Sequence, residues 1–200
     1  MYLICSDLEG VWVPEVWINV AKKTGIDELK LTTRDISDYD VLMKRRIKIL
    51  KEHKLTIKDI QSVIATIRPL EGAKELLDEL RAKMQVVIVS DTFEEFASPL
   101  MAQLGYPALF CNKLTIGPDG TVEDYNLRQP DQKRKVTEAL RSLDYTVIAF
   151  GDSYNDISML KTAHHGILFR PPHNVVADHP TLPVIQSYEE MKAAIDRIVK

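Results

Sequence analysis

Short apolar runs alternate along this chain with segments whose leucines, isoleucines and valines recur at helical spacing. The runs Tyr2-Leu3-Ile4-Cys5-Ser6, Gln85-Val86-Val87-Ile88-Val89-Ser90 and Tyr145-Thr146-Val147-Ile148-Ala149-Phe150 read as buried strands. Residues 73–83, with Leu76, Leu77 and Leu80 on one face, predict a helix, as do 93–104, closed by Gly105, and 131–143. Further strands are expected around Leu109-Phe110-Cys111 and at Ile167-Leu168-Phe169. A helix is expected from Tyr154 or Asn155 to Ala163, and a last one opened by a capping box of Ser187 and Glu190. Gly117-Pro118-Asp119-Gly120 reads as a hairpin turn between Lys113-Leu114-Thr115-Ile116 and Thr121-Val122-Glu123. The alternation predicts an α/β fold with a doubly wound, mostly parallel sheet.

Residues 14–70 interrupt that rhythm. Pro14 suits the first turn of a helix ending near Gly25, residues 39–52 carry apolar positions with basic residues between them, and Thr56 with Asp59 caps another helix. No run among them reads as a strand. The division expected is a core of residues 1–13 and 71–200 with a helical cap, 14–70, inserted after the first strand and placed over the sheet edge as a lid.

Length and charge narrow the functional classes. Two hundred residues fit one core with a modest insertion, and 26 Lys+Arg against 29 Asp+Glu give a net charge of -3, so no basic excess points to nucleic acid. No run approaches the roughly 18 apolar residues of a membrane span, and the chain starts inside a strand with no basic leader. A soluble cytoplasmic protein with no membrane partner is expected; nothing in the chain sets an oligomeric state. Cys5 and Cys111 lie far apart in apolar contexts and read as reduced core thiols.

The chemistry concentrates at strand ends. Asp7-Leu8-Glu9-Gly10 follows the first strand and Gly151-Asp152-Ser153-Tyr154-Asn155-Asp156 follows another, which brings four acids to one sheet edge, where ligands of open parallel sheets bind. Carboxylates with room for water and phosphate suit Mg²⁺ and hence phosphoryl chemistry. Asp7 is the candidate nucleophile, forming an aspartyl phosphate. Glu9, two residues on, faces the same way in an extended segment and is the candidate acid/base. Asp152 would complete the metal site, and Asp156 would ligate or orient a ligand from behind it. The Ser90 hydroxyl and the N–H groups of Asp91 and Thr92 form a ready anion site at a helix start. Lys133 could pair with Asp7 and the phosphoryl group, although Lys133-Arg134-Lys135 is equally an ordinary solvated helix face.

In this order, Asp7-Leu8-Glu9-Gly10-Val11, Ser90, Lys133 and Gly151-Asp152-Ser153-Tyr154-Asn155-Asp156 resemble the four motifs of the haloacid dehalogenase superfamily, over essentially the whole chain. Pro14-Glu15, Tyr39-Asp40-Val41-Leu42-Met43-Lys44 with Arg46, Pro69-Leu70-Glu71-Gly72 and Ser90-Asp91-Thr92-Phe93 make it most similar to the phosphoserine phosphatase group. Within that group it is most similar to its bacterial bifunctional branch, which also transfers phosphate from phosphoserine to homoserine. The resemblance implies a Rossmann-like core with a helical cap, Mg²⁺ held by Asp7, the Glu9 main-chain carbonyl and Asp152, and catalysis by Asp7 and Glu9. It further implies that Glu15 binds the substrate ammonium, Arg46 its carboxylate, and Asn155 substrate or phosphate. Most of the superfamily has Asp where this chain has Glu9; the bifunctional branch shares the substitution.

Plainer readings stand beside these. Glu15 could simply offset a helix dipole, and Arg46 could be one cation among Lys44, Arg45 and Lys48 on a solvated face. His164 and His165 flank a turn with no nucleophile beside them and read as structural or exposed; Trp12 and Trp17 read as packing. Three functions compete: a phosphoserine phosphatase and transferase, a phosphatase for another small phosphomonoester, and a non-catalytic phosphate-binding module.

Overall fold

The computed structural model describes residues 1–32, 35–36 and 38–200, and in them seven strands form one sheet. In chain order the strands are β1 (Tyr2–Ser6), β2 (Gln85–Phe93), β3 (Ala108–Ile116), β4 (Val122–Asn126), β5 (Thr146–Gly151), β6 (His165–Phe169) and β7 (Val184–Ile185). Their spatial order is β4-β3-β2-β1-β5-β6-β7, all parallel except β4, which returns antiparallel beside β3. The central strands are apolar on both sides because both faces are covered. Leu3, Cys5, Val87, Val89, Val147 and Ala149 join one core cluster, and Ile4, Ile88, Ile148 and Phe150 the other.

Helices α1 (Val16–Thr24), α2 (Tyr39–Glu52) and α3 (Ile57–Ile64) make up the insertion, joined by a 3-10 turn at Asp27–Lys30. Helix α1 begins at Val16 with Glu15 as N-cap, so Pro14 precedes the cap and does not occupy the first turn. Thr56 and Asp59 form the expected capping box at α3. The core adds α4 (Ala73–Lys83), α5 (Glu94–Gln103), α6 (Gln132–Ser142), α7 (Ile157–Thr162), α8 (His173–Asp178) and α9 (Tyr188–Ile198). Ser187 caps α9 through the Glu190 N–H, while the Glu190 carboxylate accepts from Gln186 N instead of closing the expected box.

Three further details differ from the sequence expectation. The two pieces expected at 109–111 and 113–116 are one strand, β3. The helix expected from Tyr154 opens as a 3-10 turn, Tyr154–Asp156, before α7. Helix α8 and the two-residue β7 are additional elements, too short to show a period.

Specific polar contacts tie the insertion to the core. Pro99 inside α5 has no N–H to give the Glu95 carbonyl, and Gln61 of α3 donates to that carbonyl at 2.8 Å. The β3–β4 hairpin adds to the union: its Gly120 carbonyl accepts from Ile57 N at 2.8 Å, and its Tyr125 hydroxyl donates to Asp40 at 2.7 Å.

Candidate active site

Ser6 ends β1 and Gly151 ends β5, and these neighbouring parallel strands pair Ser6 with Phe150. Asp7 and Asp152 are therefore the first residues past two adjacent strand ends. With Asp156 they bring ligand oxygens within 4.8 Å of one another. The loop after β1 fits against them only because residue 10 is glycine: its φ is +76°, and a Cβ there would stand 2.5 Å from the Asp152 carboxyl carbon.

Lys133, at the start of α6, is 2% exposed and reaches Asp156 at 2.7 Å, Asp7 at 2.9 Å and Asp91 at 3.8 Å. Arg134 pairs outward with Asp131 and Glu138, so of the basic run only Lys133 is buried. Burial alone would lower the Lys133 pKa, but Asp156, Asp7 and Asp91 outweigh it and raise it well above the ordinary value. Asp156 is fully buried; one oxygen takes the lysine and the other accepts from the N–H groups of Asp152 at 3.0 Å and Ser153 at 3.1 Å. It braces the loop that carries Asp152.

Burial pushes the Asp7 carboxyl well above its usual range against the pull of Lys133, with Asp156 and Asp152 adding to the rise. Burial, then Asp156 and Glu15, pushes Asp152 up to about 7. Three clustered carboxylates facing one ammonium are short of positive charge, and a divalent cation fits that deficit. The donor set, carboxylate oxygens at the wall of a cavity, suits Mg²⁺.

Ser90 is buried, and its hydroxyl accepts from the Thr92 N–H at 3.3 Å. The Asp91 side chain, 39% exposed, accepts from Asn155 at 2.9 Å and Gln132 at 3.1 Å, so Asn155 is anchored beside the strand end. Ser90, Asp91 and Asn155, with Asp7, Lys133 and Asp152, form the core wall of a cavity of about 370 Å³ whose other wall comes from the insertion.

On that second wall stand Glu15, Trp17, Tyr39 and Arg46, with Glu9 between the two. One Glu9 oxygen accepts from Val16 N at 2.8 Å and so caps α1 from outside, a task the Glu15 side chain leaves undone. Burial, with the Glu15 carboxylate next, pushes Glu9 up to about 8, which favours a proton on it at neutral pH. Arg46 is 7% exposed while Lys44, Arg45 and Lys48 are exposed. It donates to the Leu31 carbonyl at 2.8 Å and lies 4.5 Å over the Trp17 ring, and among the described residues its buried Nε has no hydrogen-bond partner. Burial lowers its pKa to about 10.

Every candidate named from the sequence thus lines this cavity, except Asp156 behind it. Trp17 and Tyr39 were not among those candidates. Trp17 does pack, edge-on to Phe96, but it also carries the guanidinium; Tyr39 bonds the Asp91 carbonyl at 3.3 Å. Trp12 is buried packing, stacked on Tyr188, and His164 accepts from Val147 N within the fold. Both cysteines are free and buried. Among the described residues no helix is long and apolar enough to cross a membrane.

The chain is 59% identical over 192 residues to the phosphoserine phosphatase ThrH of Pseudomonas aeruginosa, covering 96% of this chain and 94% of that one. It is 55% identical over 190 residues to a phosphoserine phosphatase of Pseudomonas syringae, covering 95% and 80%. Its fold is similar to that of a solved phosphoserine phosphatase with a phospho-aspartyl intermediate analogue, at TM-score 0.77 and 22% identity over 96% of this chain and 98% of the other. Residues 7–164, from the candidate nucleophile through α7, match the hydrolase family described as haloacid dehalogenase-like, and the chain belongs to that family.

Proposed function

We propose that this chain is a Mg²⁺-dependent phosphoserine phosphatase that works through an aspartyl phosphate on Asp7 and also passes the phosphoryl group to homoserine, in the cytoplasm. The observation that carries the reading is the order of charge across one cavity: Lys133 and the acids on the core wall, then Glu9, then Glu15 and Arg46, which forms no salt bridge among the described residues, on the insertion. That order matches a molecule with phosphate at one end and an ammonium and a carboxylate at the other. The high identity to named phosphoserine phosphatases supports it further.

Asp7, the Glu9 main-chain carbonyl and Asp152 would hold Mg²⁺, which when bound neutralises charge that otherwise repels phosphate from the nucleophile. Asp7 attacks phosphorus, the ester P–O bond breaks, and Glu9 gives its proton to the departing serine oxygen. Glu9 then takes a proton from water, or from the homoserine hydroxyl, as that oxygen attacks the phosphoryl group and frees Asp7. Ser90, the Asp91 and Thr92 amides, Lys133 and Asn155 hold the phosphate oxygens. Glu15 takes the substrate ammonium and Arg46 its carboxylate, for which a planar guanidinium is well shaped. Residues 14–70 act as the cap over a core of 1–13 and 71–200.

Product analysis tests the whole reading. With phosphoserine and Mg²⁺ the protein should release serine and free phosphate, and with homoserine added part of the phosphate should appear as phosphohomoserine. Serine release equal to that of a blank would sink the phosphatase; free phosphate alone would sink the transferase.

A further inference from the structure

Strand β2 leaves its ladder where the phosphate cradle begins. Val89 pairs with Phe110 and Phe93 with Asn112, so Ser90, Asp91 and Thr92 stand opposite the single residue Cys111. The β1 ladder with β2 ends at Ser6 and Ile88. Backbone carbonyls that lose a ladder need other donors. Two buried side-chain amides supply them, and the Tyr39 hydroxyl adds a second, longer bond to the Asp91 carbonyl at 3.3 Å. Gln132, the first residue of α6 and 3% exposed, donates through Nε2 to the Ser90 carbonyl at 2.8 Å and to the Asp91 carboxylate at 3.1 Å. Asn112 of β3, 1% exposed, donates to the Asp91 carbonyl at 3.2 Å.

Both amides are themselves fixed. The Gln132 carbonyl accepts from the Arg128 guanidinium at 3.3 Å, and the Asn112 carbonyl from Arg128 N at 3.0 Å. In a trans peptide the C=O and the following N–H point in opposite directions. Holding the Ser90 carbonyl therefore sets the Asp91 N–H, and holding the Asp91 carbonyl sets the Thr92 N–H. The latter already faces the Ser90 hydroxyl on the cavity wall.

We propose that Gln132 and Asn112 are positioning residues of the phosphate cradle, which by pinning the carbonyls of Ser90 and Asp91 aim the amides of Asp91 and Thr92 at the phosphoryl oxygens. This rests on reading residues 90–92 as that cradle. Neither residue lines the cavity, and an apolar side chain of the same size could not supply these bonds.

The test uses Gln132→Met, which keeps the length and removes both donors, and Asn112→Leu. In each, kcat/KM for phosphoserine should fall about tenfold to a hundredfold, the loss expected when reacting groups are misplaced by an ångström. The competitive inhibition constant of inorganic phosphate should rise alongside. A lowered Tm with unchanged phosphate inhibition would mean the amides merely support the fold, and would overturn the proposal. Ser90→Ala separates it from the reading beneath: weaker phosphate inhibition there, but not in the two amide variants, overturns the positioning role alone. Unchanged inhibition in all three overturns both. Should the amide variants not fold, the unsubstituted protein decides. On titration with inorganic phosphate in the presence of Mg²⁺, the backbone ¹⁵N–¹H resonances of Asp91 and Thr92 should shift, and if they stay in place the proposal fails.

Discussion

Lys133 and Arg46 are each the one buried cation of a basic run and both line the same cavity, yet Lys133 meets three carboxylates while Arg46 forms no salt bridge among the described residues. The difference follows from where each comes. Lys133 belongs to the core, where strand ends deliver acids at fixed spacing, and its charge is balanced before any substrate arrives. Arg46 rides on the insertion, held by a backbone carbonyl and the Trp17 ring, and its buried Nε has no hydrogen-bond partner among the described residues. A balanced buried charge builds a site; an unbalanced one selects an anion to complete it. The core wall should therefore govern chemistry for any phosphate ester, and the insertion wall the choice among them.

The sharpest break on the core side is Asp7→Asn, which keeps shape but removes the nucleophile. Turnover should fall by about three orders of magnitude or more on phosphoserine and on an aryl phosphate alike. Near-parent activity in a folded variant, measured as phosphate release, would refute the covalent route.

Lys133→Met and Arg46→Met compare the two cations directly. Removing the lysine leaves Asp7 and Asp156 facing each other in a buried site, and the expected loss of stability is about 3–5 kcal/mol. Removing the arginine strands no buried acid and should cost about 1 kcal/mol. Denaturant melts read both; equal losses would erase the distinction. Mg²⁺ sharpens it: the ion should raise Tm in the parent and in Arg46→Met alike, since its expected ligands all lie on the core side.

For specificity the order reverses. Arg46→Ala should lower kcat/KM for phosphoserine about tenfold to a hundredfold, the worth of a charged hydrogen bond, and leave an aryl phosphate nearly unaffected. Equal losses on the two substrates would place Arg46 in the fold or the phosphate site.

The same contrast explains what could be read from the chain alone. Core groups were legible because a strand end fixes its next residue: Asp7, Ser90 and Asp152 close three apolar runs, and the sheet brings them together. Lys133 and Arg46 could not be told from their solvated neighbours by residue type, because burial depends on how α6 and α2 dock. Trp17 and Tyr39 escaped for that reason too. Strand β3 was read as two pieces because Asn112 interrupts its apolar run, and the interruption has a purpose: that amide bonds the Asp91 carbonyl and Arg128 N.

Glu9 spans the two walls, and the smallest effect is expected there. Its place two residues after Asp7 ties it to the core, while its carboxylate caps the first helix of the insertion through Val16 N at 2.8 Å. Glu9→Asp shortens the reach by one methylene, so the side chain cannot keep that bond and also face the phosphoryl group. Formation of the aspartyl phosphate should change little, because a serine oxygen already bound at the site needs only a nearby proton. Its breakdown is more sensitive: the same group must then activate an acceptor held between the walls, and a base drawn back toward the core favours water over a bound alcohol. The ratio of phosphohomoserine to free phosphate, measured at equal homoserine and Mg²⁺, should therefore fall by a few-fold, about 1 kcal/mol or less in relative barrier. An unchanged ratio would move the choice of acceptor from residue 9 to the insertion wall itself, and Arg46 and Glu15 would be the residues to vary next.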